Sequence, residues 1–334
     1  MSSLFRTTTV SFLALALLGM SEMSAAEESA PPVALVIHAG AGTIERERLS
    51  DEDEARIRAS LMQALEAGEA LLVQGHSATE AVMAAVQVLE DAPDFNAGKG
   101  AVFNHRGEHE LDASIMRGED LAAGAVAGVQ GVRNPITLAR AVMDHSPHVM
   151  LIADGAEVFA REHEIAFEPP EYFHTDYRWQ QLENAREAGV VTQDHWYSTV
   201  GAVALDQHGN LAAATSTGGM TNKKYGRVGD SPIIAAGTWA DNRSCGVSAT
   251  GHGEYFIRAA VAHNICSRMR FGGMSLEQAG NEVIHGELVE MGGTGGVIAI
   301  DHQGNIAMPF NTPGMYRGAR QTDGSKQVAI FGDE

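Results

Sequence analysis

Apolar positions along the chain follow two rhythms. Val33 to His38 (VALVIH) is a short β-branched run ending in the glycine-rich stretch His38-Ala39-Gly40-Ala41-Gly42, which predicts a buried strand feeding a loop. From Glu54 to Val73, Ile57, Leu61, Leu65 and Leu72 recur at helical spacing and predict an amphipathic helix. Ser77-Ala78-Thr79-Glu80 has the form of a capping box, opening a second helix toward Leu89. Asn134-Pro135 predicts a third through Val142, with proline at the first helical position, where its missing N–H is no loss. Strand-like runs lie at 122–129 and 149–152, and residues 254–269 and 275–290 read as two further helices.

A hairpin occurs twice in the second half. Val200–Leu205 leads through Asp206-Gln207-His208-Gly209-Asn210 into Leu211–Thr217; Gly296–Ile300 leads through Asp301-His302-Gln303-Gly304-Asn305 into 306–312. Both turns use residues that accept positive φ or cap their own backbone. Two such hairpins predict antiparallel sheets with long helices packed on their outer faces. No linker rich in proline or serine divides the halves, so one integrated domain is expected.

The N-terminus has a different pattern. Val10 to Met20 is uncharged and mostly apolar, and Ser24-Ala25-Ala26 precedes Glu27-Glu28. The run is shorter than the ~20 residues a membrane span needs, and small residues stand where a signal peptidase inspects. Residues 1–26 therefore read as a cleaved secretory signal, and the mature chain as an exported, periplasmic protein. Export permits a Cys245–Cys266 disulfide; two buried free thiols fit the sequence equally well.

Composition narrows the chemistry. The chain has 334 residues, 23 Lys+Arg against 43 Asp+Glu, and a formal charge of −20, which argues against a nucleic-acid backbone as ligand. Two cysteines make neither a disulfide framework nor a four-thiolate site. HExxH and Gly-x-Ser-x-Gly are absent, Lys99 lacks a Walker context, and no PCxxC follows His252-Gly253-Glu254.

What remains is a dense polar block: Thr199, Thr215-Ser216-Thr217-Gly218-Gly219, Arg227-Val228-Gly229-Asp230-Ser231 and Thr250-Gly251-His252-Gly253-Glu254. Strand threonines and surface turns would account for Thr199 and Thr215, and for little else. A guanidinium and a carboxylate three residues apart around a glycine suit the carboxylate and ammonium of one α-amino acid. Backbone N–H groups at 250–253 could receive an oxyanion.

These motifs resemble the plant-type asparaginase/isoaspartyl peptidase family of N-terminal-nucleophile (Ntn) hydrolases. The resemblance runs through Ser198–Asp206, Thr215–Lys223 and Gly226–Pro232. It extends to His38–Gly42, Phe95–Gly98, Gly100–Phe103, Glu110–Ala113 and Asn311–Arg317. It implies an α+β fold, a four-layer αββα sandwich with two central antiparallel sheets. It also implies a precursor that cuts itself between Ser198 and Thr199 into an α chain (27–198) and a β chain (199–334), assembled as an (αβ)2 heterotetramer.

By the same resemblance, Thr199 is the nucleophile and its freed α-amine the base, Thr217 tunes it, and Thr250 and Gly251 form the oxyanion hole. Asn96 supports the site and the processing step. Arg227 grips the substrate α-carboxylate and Asp230 its ammonium, with Thr250, Gly251 and Gly253 assisting. Catalysis needs no cofactor; a structural sodium ion is expected in the loop of Leu89, Glu90, Ala92, Phe95 and Ala97. The implied substrates are β-aspartyl dipeptides and L-asparagine, with no nucleic acid and no membrane after signal removal. Two other readings are a glycosylasparaginase of the same fold and an unprocessed amino-acid-binding homologue.

Overall fold

Strand β1 (Ala34–Gly42) is buried along its whole length and is an interior strand of the larger of two sheets. The computed structural model describes residues 32–189, 196–197 and 199–334; the expected signal and Ser198 lie outside the described residues. In chain order after β1 come helices α1 (Asp51–Val73) and α2 (Ala78–Asp91), then strands β2 (Leu111–Arg117) and β3 (Ala123–Val129). Helix α3 (Pro135–His145), β4 (Met150–Ile152), α4 (Ala153–Glu162), α5 (Pro170–Phe173), α6 (Asp176–Glu187) and β5 (Trp196–Tyr197) follow. The remaining strands are β6 (Val200–Leu205), β7 (Leu211–Thr217), β8 (Thr238–Ala240), β9 (Cys245–Gly251), β10 (Gly295–Asp301), β11 (Ile306–Ala307), β12 (Gly314–Arg320) and β13 (Lys326–Phe331). Helices α7 (Gly253–Ala259), α8 (Val261–Gly272) and α9 (Leu276–Asn281) lie between β9 and β10.

The large sheet runs β13-β12-β1-β6-β7-β2-β3-β4, with β5 pairing β1, and the small one β11-β10-β9-β8. Helices α1, α2 and α3 cover one face of the large sheet around Leu35, Leu65, Val86 and Ile136. Helices α8 and α9 cover the small sheet around Val247, Ile265 and Val297. Between the sheets lies a third apolar layer that includes Val36, Val203, Ala213, Ile298 and Met315. That is the expected αββα order. One expectation needs correction: the large sheet is not wholly antiparallel, because β4 pairs parallel with β3. Helix α3 connects the two, and a helical crossover returns the chain in the direction it left.

Capping explains the helix starts. Ser77 and Glu80 form the expected box at α2, and Ser275 and Gln278 form another at α9. Asn134 precedes α3 as expected but makes no cap; its side-chain amide donates instead to Asp91. The single helix expected over 254–269 is two, broken at Ala260, whose φ is 47°. The amides of Ala262 and His263 donate to the carbonyls of Ala236 and Ala235, so the turn beside β8 caps α8 and forces the bend. The helix over 275–290 passes through a π turn at Glu282–Glu287.

Both hairpins form, one in each sheet. In the second, β11 is only two residues long: Pro309 has no N–H for the ladder, and its carbonyl accepts from Val297 instead. Cys245 and Cys266 are joined as a disulfide, tying β9 to α8.

Candidate active site

Thr199 stands immediately before β6, its side chain buried between strands. The antiparallel register of β6 and β7 sets Val200 opposite Ser216, which brings Thr199 beside Thr217. The Thr199 hydroxyl donates to Thr217 Oγ1 at 3.1 Å, and the Gly219 amide donates to the same oxygen at 3.0 Å. Asn96 clamps this strand end. Its Nδ2 donates to the Gly219 carbonyl at 2.7 Å, its Oδ1 accepts from Val102 N, and its own carbonyl accepts from Gly218 N. Asn96 thus reaches Thr199 through Gly219 and Thr217. A Cβ at Gly218 would lie 2.5 Å from Asn96 Oδ1, so the approach requires glycine.

His38, from β1, touches the other side of Thr199. Its Nδ1 lies 2.9 Å from the Thr199 carbonyl oxygen and its Nε2 2.9 Å from Ser248 Oγ on β9. A carbonyl only accepts, so Nδ1 carries the proton and Nε2 accepts from the serine. Complete burial pulls the imidazole pKa down to about 3, so His38 is neutral near pH 7. From Ser248 a run of hydroxyls continues through Thr215 (2.7 Å) and Thr238 (2.6 Å) to Ser114 (2.7 Å), which donates to the Ser231 carbonyl. This thread joins the two sheets and connects the Thr199 carbonyl to the residue after Asp230.

Thr250 and Gly251 end β9, opposite Gly296 and Gly295 of β10. A Cβ at 251 would meet the Thr294 carbonyl at 2.5 Å and Gly295 Cα at 2.8 Å, so only glycine fits. The chain then turns through His252 into α7, whose first residue, Gly253, lies against both Arg227 and Asp230. A Cβ there would be 2.8 Å from Arg227 Nη2 and 2.9 Å from Asp230 Oδ1.

Arg227 and Asp230 are therefore adjacent across Gly253, but the guanidinium is already engaged. Its Nε and Nη2 each donate to Glu254 at 2.9 Å, a paired contact that leaves Nη1 to other acceptors. Asp230 is buried with Oδ2 unpartnered, and desolvation pushes its pKa up to about 7 despite Arg227. Behind them Lys223 Nζ, also buried, donates to the Glu110 carbonyl and lies 4.0 Å from Asp112. Desolvation raises the Asp112 pKa, and Lys223 opposes the shift.

The residues expected to form a sodium-holding loop are divided: Leu89 and Glu90 belong to the last turn of α2, and only Ala92, Phe95 and Ala97 lie in the loop that follows. The carbonyls of Leu89, Ala92 and Ala97 each accept one backbone amide, which leaves each oxygen a second lone pair. The Glu90 carbonyl packs at Gly98 and the Phe95 carbonyl at Gly100, where a Cβ would lie 2.4 and 2.1 Å from them. Such an all-oxygen set suits a hard cation. The Glu90 side chain points elsewhere, accepting from Ser216 and from Ile136 N; burial pushes it up to about 8. Among the described residues no cluster of three or more His, Cys, Asp or Glu is arranged for a metal ion, and no helix is long and apolar enough to cross a membrane.

The structure gathers Thr199, Thr217 and Asn96 into one hydrogen-bonded group, and packs Arg227 and Asp230 side by side against Gly253 without a hydrogen bond between them. His38, Ser248 and Glu254 were assigned no role from sequence. His38 and Glu254 sit inside recognised motifs, but nothing in their spacing shows what they would touch.

A model of the asparaginase family matches residues 31–330. The isoaspartyl peptidase of Escherichia coli K12 is 52% identical over 292 residues, which cover 85% of this chain and 91% of that protein. The isoaspartyl peptidase/L-asparaginase of Bos taurus is 42% identical over 306 residues, covering 90% and 97%. Its human counterpart is 40% identical over 306 residues, covering 91% and 97%.

Proposed function

The chain belongs to the asparaginase family, and on that premise we propose that it is a self-processing threonine hydrolase of β-aspartyl dipeptides and L-asparagine. The observation that carries the proposal is the buried Thr199 hydroxyl, 3.1 Å from Thr217, at the head of a strand. Threonine is a weak nucleophile without a base. Cleavage of the 198–199 bond supplies one by turning the Thr199 amide into an α-amine, of pKa ~7.7–8.0 when unperturbed. Before the cut, Thr199 Oγ attacks the Ser198 carbonyl, and the resulting ester is hydrolysed. The products are the chains 27–198 and 199–334.

In turnover the amine takes the Thr199 hydroxyl proton as the oxygen attacks the substrate's side-chain carbonyl carbon. Thr250 and Gly251 receive the developing oxyanion, a role in which one donor is worth ~3 kcal/mol of transition-state stabilisation. The leaving amine or ammonia departs with the proton, and water then hydrolyses the β-aspartyl ester. Arg227 Nη1 takes the α-carboxylate while Glu254 holds the other edge of the fork. Asp230, ionised by the arriving ammonium, takes the opposite end of the substrate. The juxtaposition of these two side chains across Gly253 supports this division of roles.

A sodium ion would be held by the carbonyls of Leu89, Glu90, Ala92, Phe95 and Ala97, fixing the loop that carries Asn96; it supplies order, not chemistry. Residues 1–26 are read as an export signal and the protein as periplasmic, which the Cys245–Cys266 disulfide supports. Two αβ units are expected to pair. Steady-state kinetics on a β-aspartyl dipeptide, L-asparagine and a glycosylated asparagine test the substrate class. Turnover of the first two is expected; preference for the third would overturn the reading.

A further inference from the structure

None of the residues given a role above lines a cavity of about 480 Å³ whose walls include Leu49, Ile57, Pro93, Tyr177, Arg178 and Tyr316. Arg178 is 2% exposed. Its Nε donates to the Gly100 carbonyl at 2.9 Å and its Nη1 to Gln181 Oε1 at 3.0 Å, both neutral acceptors. Among the described residues no protein atom accepts from Nη2 and no carboxylate lies within ion-pair distance, Asp94 acting on the guanidinium only from farther off. The cavity's other cations are already matched: Arg56 with Asp53 (2.7 Å) and Asp94 (2.8 Å), and Arg48 with Glu45 (2.7 Å). A guanidinium stays charged even where desolvation lowers its pKa, and a buried charge without a counter-charge is unfavourable. Of the three arginines in the lining, Arg178 alone has no carboxylate of the described residues within ion-pair distance.

We propose that this cavity is a second ligand site, separate from the catalytic one, which binds a small organic monocarboxylate. The carboxylate sits on Arg178 Nη2, and an apolar body packs against Leu49, Ile57, Pro93 and the two tyrosine rings. The volume lies in the range of small-molecule sites. One guanidinium edge without a carboxylate partner, beside apolar walls and two aspartates, favours a monoanion of this kind over the more highly charged inorganic phosphate.

Calorimetric titration of the full processed protein with benzoate tests the site, with benzamide as the neutral twin and inorganic phosphate as the competing anion. Saturable one-site binding of benzoate is expected, with benzamide and phosphate at least about ten-fold weaker, the scale of one charge-assisted contact. Arg178→Gln should weaken benzoate by about ten-fold or more, while Arg227→Ala leaves it unchanged. The proposal fails if wild-type protein shows no saturable binding. Equal affinity in Arg178→Gln, or loss of binding in Arg227→Ala, which would place benzoate in the catalytic site, also overturns it. If Arg178→Gln does not fold, Leu49→Trp decides by filling the cavity. A loss of about ten-fold supports the site, and unchanged affinity overturns it.

Discussion

His38 Nδ1 lies 2.9 Å from the carbonyl oxygen of Thr199, a contact that spans 161 residues of sequence and fixes the backbone of the proposed nucleophile from β1. The imidazole continues through Nε2 to Ser248, so one side chain ties the residue that leads into β6 to β9, the strand that carries Thr250 and Gly251.

Gly201 tests that alignment. A Cβ there would lie 2.0 Å from Ser248 Oγ and 2.5 Å from His38 Nε2, with the Ala214 carbonyl at 2.9 Å. Gly201→Ala must displace the histidine or the strand, at a cost of about 1–3 kcal/mol or more in a packed interior. Slower self-cleavage and a lower thermal midpoint are expected. Wild-type values for both would show that the His38 contacts do not position Thr199.

The arginine fork makes a separable prediction. Arg227→Ala should leave self-cleavage intact, since Thr199 is held by Thr217 and His38, yet lower kcat/KM on a β-aspartyl dipeptide by about 10- to 150-fold. That is the worth of ~1.5–3 kcal/mol for hydrogen bonds to a charged group. Glu254→Gln should leave the guanidinium less constrained and raise KM more than it lowers kcat. Parallel gels and kinetics on both variants decide; an uncleaved Arg227→Ala protein contradicts the assignment.

Asp230 predicts a pH signature in stability. Its folded pKa, raised by burial to about 7 from a reference near 4, means that folding favours the neutral acid. Its contribution is therefore fully present below pH ~4 and is lost as pH rises through about 7, where the native carboxyl ionises. Urea midpoints at several pH values should show this fall in wild type, and Asp230→Asn should flatten it. Equal slopes in the two proteins would contradict the burial argument.

Much of this was legible in the sequence, for reasons tied to range. The α2 capping box, the α1 stripe and the two Asp-x-x-Gly-Asn turns are written within a few residues, so they could be read directly. The break at Ala260 was not, because carbonyls of Ala235 and Ala236 impose it from a different element. The parallel β3–β4 pairing likewise follows from how α3 docks, not from either strand's own composition. In the site, residue types pointed to Arg227 and Asp230, while Thr199 was singled out only by the family resemblance. Glu254 closing on Arg227 and His38 bridging to Ser248 are long-range contacts that no local spacing encodes.

The disulfide makes a prediction about the β9–α8 junction. Cys245 and Cys266 close a loop with a sequence separation of 21, which corresponds to about 3 kcal/mol by loop-closure entropy. Reductant should lower the thermal midpoint of wild type and leave a Cys245→Ala/Cys266→Ala variant unaffected. An identical response of the two proteins would count against a stabilising bridge.

Intact-mass analysis of purified protein, incubated until its activity is constant, tests the central claim most directly. The account predicts two species, one ending at Ser198 and one beginning with an unblocked Thr199, with hydrolysis of a β-aspartyl dipeptide rising in step with the second. A preparation that remains a single uncut polypeptide while turning over substrate at full rate would contradict it.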